Sequence, residues 1–396
     1  MLDNMSLYKV FVIVVLLACA YYASSTLSKA SKKKSKQEKT SKVKLAKTNV
    51  LDRGLVVENV KAADVVGNHA KYCEKEKNIR QFGSGDVLGY VTPWNSHGYD
   101  VAKTFAKFSM ISPVWLQIKR KPRGKFLVTG THDIDKGWVK DVRSANADVQ
   151  ILPRILFDGW TGQDFKSLFT SEDEIEDMIG AITKSLFEYG MDGAVLELWS
   201  QMPPRKSKEI IHVMSHVSEV FREKDLTLVF VIPPPISIEG KATSFTRDHF
   251  TQLAPLVDAF SLMTYDFSVG SGKAGPNAPM SWMKACVENL DPEQEHRRKI
   301  LLGLNFYGYL FSSQGGAPLI GDQYIKVIQS YGSSFLWDSS SQEHVVQQNV
   351  GNDEKTFVMF PTLKSIQIRL ELAKELGTGI AIWEIGQGLD YFYDLL

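Results

Sequence analysis

Eight short apolar, β-branched runs recur from residue 86 onward, each followed by a polar or aromatic loop and then a stretch with helical spacing. They are 86–91 (DVLGYV), 110–118, 149–157, 193–199 (GAVLELW), 226–232, 257–265, 299–308 and 379–385. Runs that are apolar at nearly every position, rather than at alternate ones, belong to strands covered on both faces and point to a parallel sheet. Eight strand–helix units predict an α/β fold, a closed (β/α)8 TIM barrel. A doubly wound open sheet is the rival; it is disfavoured because eight regular units suit closure and no glycine-rich phosphate loop follows the first run. Successive runs start mostly 24 to 43 residues apart, but 80 residues separate 299 from 379. That surplus predicts a small α+β insertion over 309–360, after strand 7.

Between the runs, SEDEIEDMIGAITKSLFEYG offers Ser171 as an N-cap, Glu174 three residues on as a capping box, and Gly190 as the stop. SKEIIHVMSHVSEVFREKD and TLKSIQIRLELAKELG share the 3.6-residue spacing of helices. If the barrel forms, function belongs to the C-terminal strand ends and the loops after them.

The leader differs from the body. A 14-residue apolar run over 10–23 follows Lys9 and precedes small residues, which reads as a signal peptide (1–23) of a secreted protein. An uncleaved anchor is the alternative, although the run is short for a span. Residues 28–47 hold nine Lys and one Glu, too polar to pack, so 24–50 reads as a disordered leader able to meet anionic surfaces. The chain is near neutral at +1, but beyond residue 47 it carries 36 basic against 43 acidic residues. Such a body gives no support to nucleic-acid recognition. Residues 51–84 read as an N-terminal extension packing on a barrel over 85–396. Cys73 and Cys286 are an even pair in a secretory context, so one disulfide or two buried thiols fit equally. No Cys/His cluster has metal-ligand spacing, and nothing calls for a cofactor.

The strand ends concentrate rings: Tyr90 and Trp94, Trp160, Trp199, Tyr265, Tyr307 and Trp383, with Glu197, Asp266, Asn305 and Glu384 among them. Flat rings beside a few polar groups suit sugars, whose apolar C–H faces are edged with hydroxyls. His97 on the first loop lacks an acidic partner in sequence, and His132, Asp133 and Asp135 lack companions for a metal site.

At these residues the sequence resembles glycoside hydrolase family 18, the chitinases and chitinase-like lectins, over about residues 85–396. The family's strand-4 pattern DGxDxDxE starts on Asp192-Gly193. Its two inner Asp then fall on Val195 and Glu197, and its acid on Trp199. MTYD matches at Met263, Tyr265 and Asp266; GLNFYG (303–308) resembles GxPFYG with Asn305 in place of Pro; AIWEIGQG brings Trp383, the floor of the sugar subsite. The SxGG of strand 3 is missing. The resemblance implies a secreted or lysosomal protein with chito-oligosaccharide ligands, lipopolysaccharide among further ones, and an endocytic scavenger receptor of the stabilin type as partner. Val195, Glu197 and Trp199 are expected to share the inward face. An indole cannot serve as the acid, so the expectation is a non-enzymatic lectin whose cleft uses Trp94, Glu197, Trp199, Met263, Tyr265, Asp266, Asn305, Tyr307 and Trp383. Two alternatives stand beside it: a weak glycosidase using Glu197 with Asp266, and a receptor-bound carrier with a vestigial cleft.

Overall fold

All eight apolar runs become strands, and most pair in parallel. The computed structural model describes residues 45–396, apart from 202–205, 272, 314, 331–332 and 351–353. The first run is β1 (Val87–Val91). The second breaks into β2 (Met110–Pro113) and β3 (Leu116–Lys121), with β4 (Lys125–Thr129) folding back on β3, and the third breaks into β5 (Gln150–Ile151) and β6 (Arg154–Leu156). Then come β7 (Gly193–Glu197), β8 (Thr227–Ile232), β9 (Ala259–Leu262) and β10 (Ile300–Asn305). The insertion supplies β11 (Gly308–Ser312), β12 (Gly315–Leu319), β13 (Ser333–Asp338), β14 (Glu343–Val350) and β15 (Glu354–Met359) before the last barrel strand, β16 (Gly379–Trp383).

Hydrogen bonding runs in the order β6–β7–β8–β9–β10–β16–β1–β2. The second and third runs close the ring in two pieces, β2 on β5 and β3 on β6, because each run is interrupted between its halves. The result is a TIM barrel. Its interior is a small cluster in which Leu88, Tyr90, Met110, Leu152, Val195, Val229, Val231, Leu301 and Ala381 meet. A much larger apolar layer lies between the sheet and the helices. Near-continuous apolar strands are what two such coverings require.

Five helices matter below: α1 (Ser96–Thr104), α2 (Glu172–Tyr189), α3 (Ser207–Glu223), α4 (Gly321–Ser330) and α5 (Leu363–Leu376). Ser171 caps α2 by accepting from the Glu174 amide, and Gly190 ends it in a left-handed conformation. The expected capping box is only half made. Glu174 turns its carboxylate to Arg120 of β3, at 2.7 and 3.0 Å, instead of to the cap. A guanidinium fork is a stronger partner for a carboxylate than one backbone amide.

The insertion is a five-stranded antiparallel sheet, β12–β11–β15–β14–β13, with α4 between β12 and β13. It is anchored through buried Glu343 of β14, which accepts from the Asn277 and Ala278 amides and from Arg369 of α5. Ahead of the barrel, Val50 is fully buried and Arg53 reaches Asp394 at 3.2 Å. The Phe82 amide donates to the carbonyl of Leu396. Cys73 and Cys286 are both buried and free, not joined. Burial pushes the Cys286 thiol up to about 12. The apolar leader and most of the lysine-rich stretch lie outside the described residues. No described helix is long and apolar enough to cross a membrane.

Candidate functional site

The motif YGMDGAVLELW divides into structural and site residues. Asp192 accepts from the Ile151 amide at 2.7 Å and from Arg143 at 2.8 Å, so it ties the third run to the fourth. Gly193 has φ +153°, and a Cβ there would stand 2.0 Å from the Thr227 carbonyl oxygen; only glycine lets β7 and β8 start this close together. Alternation along β7 then sends Val195 into the barrel interior and brings Glu197 to its rim, one inward position nearer the mouth.

Trp199 departs from the expectation. β7 ends at Glu197, and Trp199 starts a 3-10 turn. Its ring is 5% exposed, packs edge-on against Phe245 and beside His249, and donates from Nε1 to Ser244. It belongs to the layer outside the barrel and so neither shares the inward face nor plugs the mouth. The turn breaks the two-residue period on which the expectation rested.

What gathers at the mouth is a set of rings and charges around Trp383, at the end of β16. The Tyr90 ring lies 5.0 Å from it, and the Arg154 guanidinium stands 5.6 Å over it. Arg154 also pairs with Glu197 at 3.2 Å. Tyr90 donates to Ser261 at 2.8 Å, and Met263 packs on the same cluster. Arg154 Nε is buried with no hydrogen-bond partner among the described residues.

Beside this set stands Asp266. Although the residue is exposed at the rim, the protein packed around its carboxyl desolvates it and raises it above the usual range, against the opposing pull of two hydroxyls that donate to it, those of Tyr307 and Tyr309. Both hydroxyls converge on Oδ1, the Tyr309 bond being 3.0 Å, and no donor among the described residues reaches Oδ2. Asp266 holds φ +63°, a left-handed conformation that Asp tolerates better than most residues, and its amide donates to Asn277 Oδ1 at 2.6 Å. Tyr265 meets Tyr307 edge-on at 6.2 Å, and its own hydroxyl is held protonated chiefly by burial, with Asp266 and Glu197 adding to the effect. Asn305 donates to the carbonyl of Tyr307 at 2.8 Å and thereby fixes the chain that carries that ring.

Trp94 stands apart, 69% exposed on the loop after β1. Glu384 is fully buried beneath the rim and accepts from Thr92, Asn95 and the Gly386 amide. Burial nevertheless raises it to about 7. His97 has an acidic partner after all, Asp390 at 3.0 Å, which raises its pKa. Trp160 turns away and donates to the Ile118 carbonyl, and Asp135 is a helix cap, accepting from Trp138. Sequence reasoning missed Arg154, Ser261 and Tyr309. The one available signal was Arg154 itself, a charge inside an otherwise apolar strand run.

A TIM barrel whose C-terminal mouth gathers tilted and edge-on aromatic rings, two carboxylates and an ion-paired guanidinium has the make-up of a carbohydrate-active protein. The chain belongs to the family described as Glycosyl hydrolases family 18, which matches residues 86–388. The Cortical fragment-lytic enzyme of Bacillus subtilis (strain 168) is 21% identical over 216 residues, 53% of this chain and 50% of that protein. The chain therefore spans about half the length of this curated relative. Among solved structures, a chitinase from Chromobacterium violaceum has a TM-score of 0.67 at 16% identity, covering 78% of this chain and 97% of that one. The spore cortex-lytic enzyme SleL of Bacillus megaterium scores 0.65 at 16%, covering 78% and 72%. A Cycas revoluta chitinase in complex with (GlcNAc)3 scores 0.65 at 15%, covering 78% and 98%.

These findings correct the expectation of a non-enzymatic chain. The relatives are named as enzymes. The expectation had rested on the indole of Trp199 standing where the family pattern has its acid, and that side chain lies in the layer outside the barrel.

Proposed function

We propose that the barrel mouth binds oligosaccharides of N-acetylglucosamine and hydrolyses them, with Asp266 as acid and Glu197 as the group that orients the substrate. One observation carries this reading: two carboxylates share a rim in different circumstances, Glu197 ion-paired with Arg154, and Asp266 exposed at the rim yet raised by desolvation, with no donor among the described residues on Oδ2. A carboxyl raised by desolvation near another engaged in an ion pair lets one site supply both an acid and a charge.

A sugar ring lies on Trp383, and Glu197 accepts its acetamido N–H. Asp266 Oδ2 gives its proton to the glycosidic oxygen as the C1–O bond breaks, while the acetamido carbonyl oxygen bonds to C1. Water then attacks C1, its proton returns to Asp266, and the acetamido group is restored. The same amino-sugar chemistry covers the glucosamine backbone of lipopolysaccharide. A secreted or lysosomal chain of this kind, delivered by its apolar leader, would meet an endocytic scavenger receptor.

The test is chitotetraose with the purified chain, followed by calorimetry and by chromatography of products. Asp266→Asn is expected to lower kcat roughly 10²-fold or more, and Glu197→Gln to lower kcat as well. Trp383→Ala is expected to weaken binding about tenfold, as loss of one stacking surface should. Binding without products in the wild type would overturn hydrolysis and leave a lectin-like site. Neither heat nor products would overturn both steps.

A further inference from the structure

On the outer layer, away from the barrel mouth, three side chains converge without any task in the reading above. Glu172 opens α2. His212 and His216 stand one turn apart on α3, their rings 4.7 Å apart. His212 Nε2 lies 2.8 Å from Glu172 Oε1, and His216 Nε2 lies 3.1 Å from Oε2. The three ligand atoms are all within 4.8 Å of one another.

We propose that Glu172, His212 and His216 form a binding site for a divalent transition metal of the zinc class, which clips α2 to α3. Imidazoles at positions i and i+4 of a helix lie on one face and present their nitrogens in the same direction. Imidazole with carboxylate is a donor set that suits Zn2+ and its late first-row neighbours, and not Mg2+ or Ca2+, which take oxygen. Bonds of about 2.0–2.1 Å to a tetrahedral ion require ligand atoms about 3.3 Å apart. The present spacing reaches that by small rotations of side chains that are each 30–59% exposed. The same exposure leaves the fourth position to water. Both nitrogens already aim at one carboxylate, so an ion seated among them replaces the two N–H···O contacts. The helices it joins precede and follow β7, the strand that carries Glu197. The site is structural: it braces that strand from behind and takes no part in the chemistry at the mouth.

The experiment uses the full chain, stripped with a chelator and then titrated with Zn2+ by calorimetry and thermal unfolding. One ion per chain is expected, with Tm rising about 4 °C at a hundred times Kd and no response to Mg2+. Cu2+ bound in its place should show hyperfine coupling to two imidazole nitrogens in its paramagnetic resonance spectrum. His212→Ala with His216→Ala should remove the binding while the circular dichroism stays unchanged, and Glu172→Gln should weaken it roughly tenfold. Unchanged stoichiometry and affinity in the double variant would overturn the assignment, as would the absence of saturable binding in the wild type.

Discussion

Glu384 follows Trp383 directly, accepts three hydrogen bonds and still keeps its proton to about pH 7. Hydrogen bonds to a carboxylate favour the charged form, and burial disfavours it; here burial wins. The folded value stands above the ordinary 4.5, so the folded chain binds the extra proton. The stability this group contributes is complete below about pH 4.5 and is lost as the pH rises to about 7. Integrated over that window, the loss is on the order of 3 kcal/mol. Urea unfolding at pH 5 and pH 7.5 should show this decline in the wild type and a flatter profile in Glu384→Gln. The variant should also lose about 1–3 kcal/mol at pH 5, because an amide NH2 would face donors from Asn95, Thr92 or Gly386. At this scale the sequence was legible where one residue type is forced, as at Gly193. It was opaque at Arg154, whose partners Glu197 and Trp383 arrive from distant strands.

Among the elements, the strands and long helices follow from periodicity alone, because each has two coverings or one apolar stripe to satisfy. The ends do not. The fourth run was read through Trp199 but stops at Glu197, where a 3-10 turn rotates the indole into the helix layer. A pattern of alternating positions contains no mark of where alternation ceases. Helix α2 shows a similar limit. Ser171 caps as its residue type suggests, whereas Glu174 prefers Arg120, a partner 54 residues away. Ser171→Ala should therefore cost about 1 kcal/mol, the ordinary worth of one N-cap. The loss should appear in chemical denaturation with the slope m unchanged, since Glu174 remains engaged elsewhere.

For the whole molecule, the long gap after strand 7 gave away the insertion but not its tie to the barrel. That tie runs partly through the site. Asp266 belongs to the barrel loop after β9, while of its two hydroxyl donors Tyr307 follows β10 and Tyr309 lies in β11, the first strand of the inserted sheet. Each hydroxyl steadies the ionised carboxyl, so removing one raises the pKa of Asp266. If Asp266 is the acid as proposed, Tyr309→Phe should therefore keep it protonated to higher pH and move the alkaline limb of the kcat profile upward, with the proposed sugar platform, Trp383, untouched. An unmoved limb would separate the inserted sheet from the acid. The acidity of this barrel is thus partly on loan from a module grafted beside it. With Asp266 as the proposed acid, changing that module would retune the working pH without altering a residue of the barrel itself.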